Sequence, residues 1–225
     1  MYGKFLVEGD KPVRELLQSN FKIETIFCLK GWQPNTGNTK PNRVIVTEEQ
    51  LKKMSTHENP NQVLAVVEIP ILNESLQNLD GLNIVCDNLN DPGNAGSIIR
   101  IADWFGIERV FFSENSVDIY NPKTVSAAKG SLFRIKCFHT DLKKLFEENK
   151  QQKVYGTFMN GDSLYTSGLN QNAFILIGNE ANGISEELLP FVQQKISIPS
   201  FGKAESLNAA IATGIVVSEF KRSNR

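Results

Sequence analysis

The segment 198–220, IPSFGKAESLNAAIATGIVVSEF, joins a polar loop to the longest run of small apolar residues in the chain. Alanines and Gly214 in this run permit close backbone approach, so we expect a helix that packs tightly under a functional site or in a subunit interface. Ser206 and Asn208 stand at its entrance. They are two residues apart, about 200° around a helix, so they cannot both serve one helix face. Ser206 is the expected N-cap of the helix.

Upstream of this segment, short apolar strands alternate with helical patterns. The expected strands are LNIVCDNL, RVFFS, IKCFHT, KVYGTFM, AFILIG and KISIPS. The expected helices between and after them are GSIIRIADWFG, NPKTVSAAKGS, DLKKLFEENKQQ and ISEELLPFVQQ. Strands that are apolar throughout and separated by helices are typical of a parallel sheet covered on both faces. The sequence therefore predicts an α/β fold whose ligand lies beyond the carboxyl ends of the strands.

The beginning of the chain has an alternation of its own. KFLVEG, KIETIFCL, RVIV and QVLAVVEI indicate strands, DKPVRELLQSN and TEEQLKKMS indicate helices, and GWQPNTGNTKPN at 31–42 breaks the pattern. The polar stretch NESLQNLDG is the expected linker. We therefore predict a small α/β domain over residues 1–76 and a larger domain over residues 77–225.

Three loops with polar residues follow strands of the larger domain: NLNDPGNAGSIIR at 88–100, GNEANGIS at 178–185 and IPSFGKAESLN at 198–208. Asn94 and Arg100 would diverge by about 240° on one regular helix, so they converge only if Asn94 precedes the helix. Taken alone, they could equally be a turn asparagine and a solvated arginine. Gly178 and Gly183 let the backbone approach a ligand closely. Glu180 orients a ligand or only complements a helix dipole.

Composition narrows the function classes. A net charge of −1 requires any nucleic-acid site to be a local basic patch. The three cysteines lie far apart in strand-like runs, which predicts reduced, buried thiols. With two histidines, His57 and His139, a histidine-rich metal cluster is not expected, and both are interpreted as structural. The opening residues lack the apolar middle of a secretory signal and no stretch reaches the length of a membrane span, so we expect a cytosolic protein.

Taken together, the three loops resemble the ordered motifs of the SpoU, or TrmH-like, family of RNA ribose 2′-O-methyltransferases. The matching patterns are N-x-x-D-P-G-N-A-G-S-I-I-R-x-A-x-x-F-G at 88–106, L-I-G-N-E-x-x-G-I-S at 176–185 and I-P-x-x-G-x-x-x-S-L-N-A-A-x-A at 198–212. NPKTVSAAKGSLFRI also resembles that family. FLVEGDKPVRELL is similar to the small substrate-binding domain, related to a ribosomal-protein fold, that many members carry.

This resemblance implies a fold and a set of site residues. The expected fold is a parallel sheet with a C-terminal deep trefoil knot, in a homodimer that binds S-adenosylmethionine (AdoMet) and no metal. The implied catalytic residues are Asn94, Arg100, Glu180, Ser206 and Asn208. The implied AdoMet-binding residues are Thr157, Ile177, Gly178, Asn179, Ile198, Ser206 and Leu207. The expected RNA contacts, with ribosomal or transfer RNA as partner, are Arg100, Lys123, Lys129 and Arg134.

The implied chemistry is attack of a ribose 2′-hydroxyl on the sulfonium methyl group, with loss of the hydroxyl proton. In the family the proposed base is the arginine that corresponds to Arg100. A guanidinium rarely gives up its proton. Arg100 is therefore also interpreted as a phosphate contact, with a phosphate oxygen or the AdoMet carboxylate taking the proton.

Three other functions compete with this prediction. An RNA-binding or assembly factor could share the fold without turnover, although the complete set of polar motif residues favours an enzyme. A related knotted enzyme that methylates a base would lack the Asn-to-Arg loop and the SLN ending. A nicotinamide-dependent oxidoreductase would need a glycine fingerprint, and GNAG does not match G-x-G-x-x-G.

Overall fold

The structure is a computed structural model that describes residues 3–34, 41–57, 59 and 61–223. Residues 35–40, within the predicted pattern break, lie outside the described residues. The described chain forms two β-sheets, one of four strands and one of six. Both sheets contribute side chains to one large hydrophobic cluster, so the two halves of the chain share a core.

The first sheet has the order β1-β4-β2-β3. Its strands are β1 (Lys4–Glu8), β2 (Ile23–Cys28), β3 (Arg43–Ile45) and β4 (Val63–Glu68), and its helices are α1 (Asp10–Leu16) and α2 (Glu48–Met54). Strand β4 runs antiparallel to both β1 and β2, while β2 is parallel to β3. The sheet is therefore mixed, although its elements alternate along the chain as they do in parallel folds.

The second sheet is parallel throughout, which confirms the predicted architecture. Its strands are β5 (Leu82–Cys86), β6 (Arg109–Ser113), β7 (Lys136–Thr140), β8 (Lys153–Ser163), β9 (Ala173–Ile177) and β10 (Gln194–Ser197), in the order β10-β8-β9-β5-β6-β7. Every residue of β5 and β9 is buried, as expected for central strands covered on both faces. The strand order reverses between β5 and β9, the kind of position where open α/β sheets bind ligands.

Helices cover both faces of this sheet. They are α3 (Pro92–Trp104), α4 (Pro122–Ala128), α5 (Leu142–Glu148) and α6 (Ala209–Arg222), with 3-10 helices at Ser131–Phe133 and Glu186–Phe191. Helices α3, α4 and α6 belong to the large cluster on one face, and α5 belongs to a second cluster on the other. The α-helix predicted over ISEELLPFVQQ is wrong: that segment is a 3-10 helix containing Pro190, which has no N–H for a helical hydrogen bond.

The predicted linker is fastened to the second sheet. The Asn149 side chain accepts a hydrogen bond from the Leu79 backbone N–H (2.8 Å) and donates one to the Leu76 carbonyl (2.7 Å). Glu74 pairs with Arg109 at 2.9 Å and with Lys136 at 2.7 Å. Because backbone groups and a carboxylate are both anchored, the polar stretch is an ordered strap along the larger half of the chain.

Aromatic contacts join the two halves. The rings of Phe5, on β1, and Tyr120, just before α4, have centroids 4.8 Å apart. Phe21 meets Phe133 edge-on at 5.5 Å. Aromatic pairs of this kind contribute about 0.5–1.5 kcal/mol beyond the area they bury. They help to hold the first sheet against α4.

An ion-pair network lies beside these aromatic contacts. Arg134 bonds to Asp103 of α3 at 2.7 Å and to Glu15 of α1 at 2.9 Å. Burial alone would raise the pKa of Asp103, but hydrogen bonds from Arg134 and Ser131 hold it below its ordinary value. A Cβ atom on Gly130 would lie 1.6 Å from the Glu15 carboxylate, so glycine is the residue that leaves room for this contact.

The remaining sequence predictions concern single residues. Cys28, Cys86 and Cys137 are free and buried, as predicted, and burial raises the pKa of each thiol. Within the described ranges, no group of three or more His, Cys, Asp or Glu side chains is arranged to hold a metal ion. Across the same ranges, no helix has both the length and the apolar character needed to cross a membrane.

Candidate functional site

Asn94 connects the three motif loops. It lies in the first turn of α3, is 8% exposed, and its backbone N–H donates to the N-cap side chain of Asp91 at 2.7 Å. Its Nδ2 donates to Glu180 Oε1 at 2.9 Å. Its Oδ1 accepts from Asn208 Nδ2 at 2.7 Å. The structure thus brings together three of the five predicted catalytic side chains.

Asn208 is the N-cap of α6. Its Oδ1 accepts hydrogen bonds from the backbone N–H groups of Ala210 (3.0 Å) and Ile211 (3.2 Å). The expectation that Ser206 caps this helix is wrong, because the helix begins at Ala209 and Ser206 lies two residues before the cap in an exposed loop. Asparagine is suited to this position because its carbonyl oxygen reaches the free N–H groups of the first turn.

Capping fixes the direction of the hydrogen-bond chain. Because Asn208 Oδ1 is occupied by two backbone donors, its Nδ2 points to Asn94. Asn94 must then present its oxygen to Asn208 and its Nδ2 to Glu180. The amide orientations are set by this network, as is usual for asparagine side chains. We call the sequence Asn208–Asn94–Glu180 the amide relay; it runs one way from a helix cap to a carboxylate.

The Glu180 loop is held by tight backbone contacts. Asn179 and Gly183 exchange two backbone hydrogen bonds of 2.9 Å, and a Cβ atom on Gly178 would lie 2.3 Å from the Gly183 carbonyl carbon. Asn179 Nδ2 donates to the Asn88 carbonyl at 2.6 Å, which ties the loop to the end of β5. Any side chain at position 178 would push this loop open.

The sequence prediction missed Asp87. This carboxylate is 1% exposed and accepts from the Ser185 backbone N–H at 2.7 Å and from Asn88 Nδ2 at 2.8 Å. It therefore fixes the far end of the Glu180 loop against β5. The sequence pattern that could have identified it is an acidic residue directly after an apolar strand, in LNIVCDNL. A carboxylate buried at such a position needs hydrogen-bond partners, so it indicates a polar network at the end of the strand.

Arg100 lies apart from the amide relay. Asn94 belongs to α3 and does not precede it, so the condition for the two side chains to converge is not met. Arg100 is exposed and lines a cleft of about 890 Å³ between the two sheets, together with Lys11 and Lys129. Lys123 is exposed on α4 and does not line that cleft. Arg134 is engaged in the ion-pair network between the domains.

The residues predicted to bind AdoMet lie on or just after the adjacent strands β8, β9 and β10 and on the loop before α6. Thr157, on β8, donates through Oγ1 to the Leu176 carbonyl at 3.1 Å; Ile177 ends β9, and Ile198 follows β10. Ser206 and Leu207 are exposed on the loop before α6. Of the described residues, none makes a hydrogen bond with the backbone of residues 199–207. A segment with free N–H and C=O groups beside a glycine loop fits a ligand recognised through the backbone.

Comparison with known proteins places these features in a family. Residues 81–218 match the sequence model of the SpoU rRNA Methylase family, and residues 1–65 match that of the MRM3-like substrate binding domain. The chain is 32% identical over 217 residues, 95% of this chain and 86% of the relative, to the 23S rRNA (guanosine(2553)-2′-O)-methyltransferase RlmP of Bacillus subtilis (strain 168).

Solved structures agree with this match. The SpoU methyltransferase AviRb from Streptomyces viridochromogenes, in complex with AdoMet, superposes with a TM-score of 0.87 at 25% identity, covering 99% of this chain and 91% of that one. An AdoMet-bound rRNA methyltransferase from Sinorhizobium meliloti gives a TM-score of 0.85 at 26% identity, covering 98% and 88%. Sequence and structure therefore agree that the chain belongs to the SpoU rRNA methylase family.

Proposed function

We propose that the chain transfers a methyl group from AdoMet to a ribose 2′-hydroxyl of ribosomal or transfer RNA. The observation that carries this proposal is the amide relay, which sets two amides and a carboxylate beside a backbone-rich loop at the carboxyl ends of β5 and β9. Family membership supplies the reaction class. The relay supplies groups that can hold a hydroxyl and take up its proton.

AdoMet supplies a methyl group on a positively charged sulfur. The residues that would hold it are Thr157, Ile177, Gly178, Asn179, Ile198, Ser206 and Leu207. The free backbone of residues 199–207 can bind its polar edges, while Ile177 and Ile198 offer apolar contact. Glu180 lies in the tight loop between Gly178 and Gly183, next in sequence to the proposed AdoMet-binding residues Gly178 and Asn179.

We assign the proton transfer to Glu180. Its Oε1 accepts from Asn94, whereas no side chain or backbone group of the described chain bonds to its Oε2. In the reaction the 2′ O–H bond breaks, an O–C bond forms, the C–S bond breaks, and sulfur keeps the electron pair. Oε2 accepts the proton, and Asn94 and Ser206 orient the ribose. Arg100, on another side of α3, holds an RNA phosphate.

The two parts of the chain divide the work of substrate binding. We propose that residues 1–76 bind RNA and that residues 77–225 carry the methyl transfer. Lys123 and Lys129 on the α4 side would contact phosphates. Arg134 would act by holding the RNA-binding half in place, because its guanidinium already pairs with Asp103 and Glu15.

We also propose a C-terminal deep trefoil knot, a homodimer and a cytosolic location. The dimer is supported by apolar side chains exposed around the start of α6. Phe201 is 98% exposed, Leu207 47% and Ile211 57%. Exposed apolar clusters of this kind mark protein interfaces. The knot would place the AdoMet loop between β10 and α6, and the homodimer would cover the apolar side chains.

Incubation with methyl-labelled AdoMet and RNA transcribed in vitro tests the activity. After alkaline hydrolysis, we expect label in hydrolysis-resistant dinucleotides, which only 2′-O-methylation produces. Arg100→Ala should lower kcat/KM about 10- to 100-fold, because a hydrogen bond to a charged RNA phosphate is lost, while AdoMet binding measured by calorimetry stays within about twofold. AdoMet binding without label in ribosomal or transfer RNA would favour an RNA-binding factor without turnover.

A further inference from the structure

The cleft lined by Arg100 has one wall from each domain. Residues 6–12, with the loop at His57, form the first wall; Arg100 of α3 and one side of α4, from Pro122 to Lys129, form the second. Its volume of about 890 Å³ is in the range of cavities that enclose a ligand. The aromatic contacts and the ion-pair network described above hold both walls. The cleft is therefore preformed by domain docking.

Two carboxylates in the cleft are already engaged. Glu8 accepts hydrogen bonds from the Ser55 hydroxyl and from both the backbone and the hydroxyl of Thr56. Burial alone would raise the pKa of Glu8, but these donors hold it below its ordinary value. Asp10 accepts from Arg14 Nε at 2.8 Å. Asp10 is therefore neutralised by Arg14, whereas Glu8 keeps its negative charge and is held in place by neutral donors.

The cations of the cleft, in contrast to these carboxylates, have no partner among the described residues. The third acid, Glu15, is bound by Arg134. In the part of the chain that the structure describes, no ion pair or side-chain hydrogen bond involves Lys11, Arg100 or Lys129. Over the described ranges, the cleft therefore has three positive charges without a partner, from α1, α3 and the end of α4, against the single carboxylate charge of Glu8 that no cation pairs with.

Lys129 is held in a strained backbone conformation. Its φ of 55° and ψ of −131° lie in a region that glycine adopts readily and other residues rarely do. Such a conformation costs on the order of 1–3 kcal/mol and is concentrated at functional sites. Glycine at position 129 would remove the strain, so the lysine side chain is retained at a cost in stability.

We propose that this cleft binds the sugar-phosphate backbone of a single RNA strand through Lys11, Arg100 and Lys129, beside the nucleotide being methylated. The proposal rests on the proposed function and extends it to the N-terminal domain. Arg100 lies six residues beyond Asn94, about 9 Å along the axis of α3, so the phosphates in the cleft belong to neighbouring nucleotides. The three cations lie on both walls of the cleft, so a single strand that enters it can be contacted from both sides.

Binding of a labelled poly(U) RNA of about 12 nucleotides, within the range of single-strand site sizes, tests the proposal. Affinity is measured over a series of salt concentrations. Lys11→Ala and Lys129→Gly should each weaken binding about 3- to 10-fold at low salt and reduce the slope of log K against log salt by about 0.7, the loss of one phosphate contact. AdoMet binding should not change. Lys129→Gly should melt at or above the wild-type temperature, which separates lost binding from misfolding.

Lys150→Ala is the matched control. Lys150 is exposed just after α5, on the opposite face of the second sheet from α3 and α4, and should leave the salt slope unchanged. Equal slopes for the wild type, Lys11→Ala and Lys129→Gly would overturn the proposal, as would competition by an RNA duplex of the same length as strong as that by the single strand. A wild type that transfers no methyl group would instead overturn the proposed function, and the slopes would still decide the cleft.

Discussion

At the scale of single residues, Asn208 combines a structural and a functional role in one amide. Its oxygen caps α6 and its nitrogen starts the amide relay, so the position of the helix sets the orientation of the site. The sequence alone does not show that one side chain has both roles. Substitutions that keep the cap and alter the relay can separate the two.

Asn208→Asp should keep the fold and lose activity. A carboxylate is a good N-cap and suits the helix dipole, so the melting temperature should stay close to that of the wild type. Its second oxygen would accept a hydrogen bond from Asn94, turning the Asn94 oxygen toward the Glu180 carboxylate. Losing one hydrogen bond to a charged group costs about 1.5–3 kcal/mol, so we expect kcat to fall about 10- to 100-fold.

Asn208→Ala is the comparison for that experiment. It removes the cap as well and should lower the free energy of unfolding by about 1 kcal/mol, which denaturant titration measures. Unchanged kcat in Asn208→Asp would contradict the relay. A variant Asn208→Asp that melts like Asn208→Ala would show that the residue acts only through the helix.

At the scale of elements, the strap between β4 and β5 shows how a polar segment becomes ordered. Its composition is that of a linker, but Glu74 pairs with Arg109 and Lys136 on the second sheet, and the Leu76 carbonyl and the Leu79 N–H bond to Asn149 at the end of α5. Burial alone would raise the pKa of Glu74, and hydrogen bonds from Lys136 and Arg109 lower it below its ordinary value of 4.5. The ionised carboxylate is therefore what stabilises the strap.

Glu74→Gln should be less stable than the wild type by about 1 kcal/mol at neutral pH, since it loses the charge that Arg109 and Lys136 bind. A carboxyl group with a lowered pKa contributes stability above its unfolded pKa and loses it as pH falls through the folded value. The difference between the two proteins should therefore shrink as the pH falls below 4.5 and be lost once the pH is below the lowered pKa of folded Glu74. Urea titrations at several pH values measure it; a difference constant down to pH 3 would contradict this role.

At the scale of the whole molecule, packing between the two halves of the chain covers one surface, and the proposed dimer would cover another. The N-terminal sheet is docked on α4 by aromatic contacts and by Arg134, which gives the cleft its fixed walls. The start of α6 has no such cover in a single chain. Phe201, Leu207 and Ile211 would be buried by a second copy.

Ile211→Glu should convert a dimer into a monomer. Multi-angle light scattering should give twice the chain mass of 25.1 kDa for the wild type and the single mass for the variant. A glutamate in the first turn of α6 suits the helix dipole, so the monomer should remain folded. Ile71→Glu, at an isoleucine 86% exposed on the strap, is the control and should leave the mass unchanged. A monomeric wild type would contradict the proposed dimer.

The parallel sheet, the buried cysteines and the convergence of the three motif loops are predictable from the amino-acid sequence. These features follow from local patterns, because apolar strands separated by helices pack in few ways and the carboxyl ends of parallel strands share one edge. The grouping of Asn94, Glu180 and Asn208 in one site came from the resemblance to the SpoU family and not from these patterns. The same patterns did not predict the antiparallel pairing of β4 or the 3-10 helix at Pro190.

The partner of each polar side chain, in contrast, is known only from the folded chain. Asn94 meets Glu180 and Asn208, which lie 86 and 114 residues away, and Arg134 meets Glu15 across 119 residues. Periodicity reports whether a residue is buried, not which distant group faces it. Whether Ser206 or Asn208 capped α6, and whether Arg100 faced the relay or the cleft, depended on where each helix begins. That boundary is set by packing between distant parts of the chain, so only the folded molecule contains the answer.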